Sequence, residues 1–137
     1  MRFKKPILVA LFSLLSALPA IAHHSFGAEF DESKPIELKG TVTKVEWSNP
    51  HVYFYVDVKG NDGTVVNWGL ETDSPGGLIR RGWTRTSLKV GDQVSIKGYV
   101  AKDGSHLADA RLVTLADGRK VYGGTAGDGG PGDPAGN

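Results

Sequence analysis

Four histidines carry most of the chemistry that this chain can offer: His23, His24, His51 and His106. The chain has no cysteine, which excludes thiol redox chemistry and thiolate metal sites. Any metal must then be held by imidazole, carboxylate or backbone groups. Two of the histidines are adjacent, and what precedes them gives the pair its interest. Met1 to Lys5 holds Arg2, Lys4 and Lys5, Ile7 to Leu18 is almost unbroken apolar, and Pro19-Ala20-Ile21-Ala22 puts small residues where a signal peptidase reads. A basic start, a short apolar run and an A-x-A site predict a signal peptide over residues 1–22 and export to the periplasm or beyond. Cleavage after Ala22 would make His23 the first residue. An N-terminal His offers its α-amine and its ring to one metal, and His24 adds a second ring beside it. Among divalent ions copper(II) binds such nitrogens most strongly. The arrangement resembles the histidine brace of copper oxygenases and of some copper carriers. His51, just after Asn49-Pro50, is the candidate for a distant third ligand. The predicted metal set is therefore His23, His24 and His51, with copper as the cofactor.

A plainer account competes with this one. Exposed N-terminal His pairs bind copper in any peptide. His51 could simply be a turn residue whose ring bonds a neighbouring carbonyl, and His106 follows a polar turn where water suffices. The aromatic residues supply a different hypothesis. Trp47, Tyr53 and Tyr55 could lie on one outer face and bind a glycan, a peptide or a small molecule without any metal. Trp68 and Trp83 read better as packing residues. Arg80, Arg81 and Arg85 form a short basic run, which is usually solvated and less often holds a carboxylate or another anion. No nucleophile motif, Gly-rich phosphate loop or H-E-x-x-H is present. The carboxylates of Asp31-Glu32 and Glu71-Thr72-Asp73 have nothing in the local sequence to bring them to a base. A binding role is expected ahead of a catalytic one.

The elements that must position these residues follow a period of two. Ile36 to Trp47 places Ile36, Leu38 and Val42 on one parity, with Val45 and Trp47 on the other; Gly40 is the expected bend or bulge. His51 to Val58 alternates Val52, Phe54, Val56 and Val58 with Tyr53, Tyr55 and Asp57. Lys59 to Gly63 is a hairpin loop, and Thr64 to Glu71 returns. Ser74-Pro75 caps a short helix over Gly76 to Arg81, which Gly82 ends. Gln93 to Ala101 and His106 to Leu115 are two further strands, with a last turn before Lys120-Val121-Tyr122. Three strands, a helical link and two strands predict an all-β fold, a small five-stranded OB-like barrel with one short helix between strands 3 and 4.

The composition bounds the rest. Residues 1–22 remove three basic residues and no acid, so the predicted mature chain keeps 13 basic against 15 acidic residues. That mild acidity leaves no electrostatic footprint for nucleic acid, nor for an anionic membrane after processing. Gly123 to Asn137 is rich in Gly and Pro and lacks large apolar residues, so 123–137 is expected to be a disordered tail and 23–122 the folded domain. Three segments, His23 to Phe26 (HHSF), Trp47 to His51 (W-x-N-P-H) and the R-x-G-W around Trp83, together resemble a family of secreted bacterial proteins known as domain of unknown function 6152. That resemblance implies export and a small β domain, and it supplies no activity.

Overall fold

A computed structural model describes residues 26–125. The predicted signal peptide, His23 and His24 lie outside the described residues, as does 126–137. A single turn of helix, α1 (Phe26–Glu29), leads into a long strand β1 (Phe30–Glu46). Then come β2 (Tyr53–Lys59), β3 (Val65–Glu71), the helix α2 (Pro75–Arg80), β4 (Gln93–Ala101), β5 (Leu107–Leu115) and the short β6 (Lys120–Tyr122). The described chain is all-β with two short helices. The expectation of five strands and one helix is corrected by β6 and α1. β6 forms because the turn at Ala116 to Arg119 lets the chain fold back on β5, Val113 opposite Val121.

The hydrogen-bonded order is β3-β2-β1-β4-β5-β6, and a parallel pairing of β3 with β5 joins the two ends. Five strands therefore form a ring, with β6 attached outside it. β1 makes this possible by serving two neighbours. Its first part pairs with β4, its second with β2, and Thr41 pairs with both Gln93 and Asp57. The parity switch comes three residues later than Gly40. The register slips between Val42 and Lys44, leaving Thr43 as the extra residue. A single inserted residue sends all that follow to the opposite face, so Leu38 and Val42 before it, and Val45 and Trp47 after it, all pack on the core. Thr43 turns its hydroxyl to the Tyr55 carbonyl instead. Gly40 has a different job: a Cβ there would collide with the backbone carbonyl of Asp57, where the two halves of the ring close up.

The interior is filled by Phe54, Val56, Leu70, Ile96 and Val113, with Leu78 of α2 and Trp83 closing one end. Ser74 caps α2 by accepting from the Gly77 N–H at 3.1 Å, and Gly82 ends it with a φ of +90°. A second, smaller cluster sits on the outer surface, where Phe26, Phe30 and Ala101 pack with Tyr99 and Leu107. The fold also continues beyond Tyr122, further than the composition implies. Gly123 accepts from the Asp73 N–H at 2.8 Å and donates to the Arg111 carbonyl at 3.1 Å, and Thr125 is buried. These backbone bonds, one to the segment after β3 and one to β5, offset the low hydrophobicity of this stretch.

Candidate functional site

Strand register brings one row of polar side chains across the outer face. Tyr99 of β4 pairs with Asp109 of β5, Asp109 with Glu71 of β3, Glu71 with Tyr53 of β2, and Tyr53 with Glu46 of β1. Paired residues on adjacent strands project to the same side, so these five form a band around part of the ring. Glu71 lies at its centre and is only 3% exposed. The Tyr53 hydroxyl donates to Glu71 Oε2 at 2.6 Å. His51, two residues before β2, points its Nδ1 at the Thr72 carbonyl, 2.9 Å away, with Glu71 Oε1 at 3.6 Å. The Thr72 carbonyl can only accept, so the ring donates an Nδ1 hydrogen to it.

The electrostatics of this cluster follow from burial. The Glu71 carboxyl is pushed above its ordinary value chiefly because its charged form is desolvated. The carboxylate of Glu29 pushes the same way, while the Tyr53 bond and the His51 ring oppose it. The Tyr53 hydroxyl is likewise pushed far up, first by burial and then by its bond to Glu71, so it remains a donor throughout the physiological range. Glu29 acts on both residues, which places the C-terminal end of α1 beside them. The other end of α1 is clamped: Phe26 stacks on Phe30 with centroids 5.6 Å apart and meets Tyr99 edge-on at 5.7 Å. The Lys102 ammonium reaches the Gly27 carbonyl, and the Lys102 N–H donates to the Glu29 carbonyl at 2.9 Å. The N-terminal segment thus enters the fold over this polar band.

The residues singled out from the sequence fall into separate places. Of the predicted metal ligands, His51 stands in the cluster, while His23 and His24 lie outside the described residues. Among the described residues no group of three or more His, Cys, Asp or Glu side chains is arranged to hold a metal ion. Tyr53 and Tyr55 share the outer face of β2, but Trp47 does not join them. The bulge at Thr43 turns Trp47 inward against the core, with the Arg85 guanidinium 5.9 Å from its ring. Tyr55 lies against Gly69 and gives its hydroxyl to Glu46 at 3.0 Å. Lys44 also pairs with that carboxylate and holds Glu46 below its ordinary value. His106 stacks on Trp68, ring centroids 5.1 Å apart. The basic run divides: Arg81 pairs with Asp73 at 3.4 Å and donates to the Gly124 carbonyl at 2.6 Å, whereas Arg80 is exposed and Arg85 covers Trp47. Glu71, Glu29 and Asp109 have no role that the sequence alone assigns. The signal for Glu71 is its parity, one step off the inward Leu70 on a strand that returns from a hairpin.

Comparison with known proteins adds one assignment. The family model described as "Family of unknown function (DUF6152)" matches residues 11–109, and the chain belongs to that family. No curated protein matches it. One solved structure similar to it is a crystal structure of TiaS in complex with an isoleucine tRNA and ATP, with 21% identity over 63% of this chain and a TM-score of 0.43. The match spans only 19% of that longer chain. No described helix is long and apolar enough to cross a membrane.

Proposed function

We propose that this family member is an exported binding protein that holds copper(II) between its processed N-terminus and the rim of its β ring. The ligands in this reading are the α-amine and ring of His23, the ring of His24, and Nε2 of His51. The observation that carries it is the clamp on α1. Phe26 is fixed on Tyr99, and Glu29 is close enough to Glu71 and Tyr53 to shift both. His24 precedes Phe26 by two residues. Two residues of chain span at most about 7 Å, which in this reading ties the start of the mature chain to the face on which α1 lies. A ring that donates Nδ1–H to a carbonyl is the usual state of a His that ligates a metal through its other nitrogen. The closed ring is read as an OB-type barrel. The order of three strands, helix and two strands supports this, as does the parallel contact of β3 with β5. His51 then lies on a barrel rim.

The test compares three chains: one beginning at His23, one with a single residue added before His23, and one with His51→Ala. Copper affinity is measured by competition with a chelator of known strength. The expected result is tight one-to-one binding by the first chain and loss in both others. Affinity should also fall as the pH drops below neutral, because amine and ring must lose protons to bind. Equal weak binding by all three chains overturns the proposal. Binding lost on extension but kept in His51→Ala reduces it to a terminal chelate in which the fold has no part.

A further inference from the structure

We propose that a groove on the outer face of the ring, at the other end of β2 from His51, binds a saccharide that carries carboxylate groups, such as a chain of uronic acids; this site is independent of the copper reading. The groove has a volume of about 460 Å³ and crosses β2, β1, β4 and the end of β5. Clefts that hold small ligands measure roughly 300–1,000 Å³. Past Gln93, Leu115 and Ala116 it continues into a smaller extension of about 190 Å³, so its shape suits a chain better than a compact molecule. Strand register places its side chains. Leu38 and Val42 face the core, so Lys39 and Thr41 between them face outward. Lys39 pairs with Ser95 and Ser95 with Thr114, which makes one polar row. Thr41 pairs with both Gln93 and Asp57, which makes a second. Lys59 lies two residues beyond Asp57 on the same face of β2.

The strands under the groove have neighbours on both sides, β1 between β2 and β4, and β4 between β1 and β5. Their main-chain groups are taken up by the ladders, so no extended peptide can be added as a strand and a ligand must be read by side chains. Among the described residues no aromatic ring lines the groove or its extension, which leaves no platform for stacking a nucleobase. What the side chains offer is hydrogen bonding in both senses. Gln93 Nε2 donates to the Thr41 hydroxyl at 2.7 Å, and Asn67 Nδ2 donates to Asp57 Oδ1 at 2.8 Å. These bonds orient the Gln93 amide and the Asp57 carboxylate. The Gln93 carbonyl oxygen, the Thr41 O–H and the Thr114 hydroxyl bond to no other described residue. A polyol needs such a mixture, because each of its hydroxyls both donates and accepts. The charges then decide which polyol. Asp92 accepts the Lys89 N–H at 2.9 Å, and Asp117 pairs with Arg119 at 2.6 Å. Lys39 and Lys59 are exposed and form no ion pair among the described residues. Their ammonium groups attract anions, while Asp57 on the same face repels a concentrated dianion such as phosphate. Single carboxylates spread along a hydroxyl-rich chain meet both conditions.

The experiment titrates the chain that begins at His23, free of metal, with a short oligomer of galacturonic acid. The methyl ester of that oligomer, which keeps the hydroxyls and loses the charge, is titrated beside it. The acid should bind, and its affinity should fall as salt is added. The ester should bind clearly more weakly. Lys39→Gln and Lys59→Gln should each lower the affinity for the acid by roughly tenfold, the effect of losing one charge-assisted hydrogen bond. Both lysines are exposed and unpaired, so the unfolding midpoints of these variants should match the wild type. Gln93→Ala should weaken binding without altering its salt dependence, since it removes hydrogen bonds and no charge. In NMR spectra the side-chain amide of Gln93 should shift during the titration, which locates the ligand in the groove. Absence of binding at millimolar oligomer overturns the proposal. So does an ester that binds as well as the acid, or a Lys39→Gln, Lys59→Gln double variant that binds like the wild type. Inorganic phosphate that competes at the oligomer's own affinity makes the groove a simple anion site and overturns the saccharide assignment.

Discussion

If the fold contributes to the site by holding α1, releasing α1 must weaken it, and Phe26→Ala is the means. Phe26 is 4% exposed and belongs to the outer cluster with Phe30, Ala101 and Tyr99, apart from the main core. Burying a Phe side chain contributes about 1.5–3 kcal/mol, and each aromatic pair about 0.5–1.5 kcal/mol more. Alanine keeps a fraction of the burial and neither ring contact, so roughly 3 kcal/mol of the hold on α1 should go. Because this cluster is peripheral, the loss should appear as local opening, with the thermal midpoint of the ring less affected. The Lys102 N–H, which donates to Glu29, is the reporter: its hydrogen exchange should accelerate. Apparent affinity scales with the fraction of molecules in the binding-competent state. At about 1.4 kcal/mol per decade, copper binding should weaken by up to roughly 150-fold, with the terminal chelate alone as the floor. The assay pairs exchange measurements with chelator competition on one protein preparation. If the Lys102 amide opens and copper affinity stays within about twofold of wild type, the anchoring of α1 does not build the site and the argument from the clamp is refuted.

Three further outcomes follow from packing and burial alone. Glu71 titrates above its ordinary carboxyl value in the folded chain because of burial, with Glu29 adding to the shift and Tyr53 and His51 opposing it. The folded state therefore holds this proton where the unfolded chain has lost it, and stability falls as pH rises from about 4.5 through the raised value. In metal-free protein, the stability of Glu71→Gln relative to wild type should rise across that window in urea titrations, and a difference independent of pH would count against a buried, ionising Glu71. Gly98→Ala should cost about 3 kcal/mol, the upper range for overpacking, because the new Cβ would fall on the Asp109 carbonyl oxygen; a loss under about 1 kcal/mol would show that β4 and β5 can separate there. A chain ending at Tyr122 should be less stable than one ending at Thr125 by about 5 kcal/mol, at about 1 kcal/mol for each net hydrogen bond, since it lacks the two bonds of the Gly123 bridge, the Gly124 carbonyl on Arg81 and the two Thr125 bonds to Asp109. Equal unfolding midpoints for the two chains would mean that the bridge contributes nothing.

How far the site can be read from the sequence depends on how each contact is made. Strand parity is a local property, so the alternation in Val52 to Val58 locates both the core face and the outward Tyr53 and Tyr55. The cap at Ser74 and the end at Gly82 are local as well, and α2 lies where those residues put it. The Tyr53–Glu71 contact is one step removed. The loop between β2 and β3 sets Lys59 opposite Val65, and counting outward along both strands puts Tyr53 opposite Glu71. That register is set by the turn, so a partner for Glu71 emerges only when the count is carried to the strand ends. Trp47 fails for a subtler reason. A bulge at Thr43, rather than a bend at Gly40, decides which way Trp47 faces, and no residue type marks a Thr as the inserted one. The neighbours Asp109 and Glu29 are beyond local reach. Asp109 meets Glu71 only because β3 and β5 close the ring in parallel, and Glu29 arrives only because two phenylalanines four apart fold α1 onto Tyr99. Positions 71 and 109 lie 38 residues apart, on strands whose pairing is a product of closure. A sequence pattern can show that Glu71 and Asp109 face outward, but their adjacency exists only once the ring has closed.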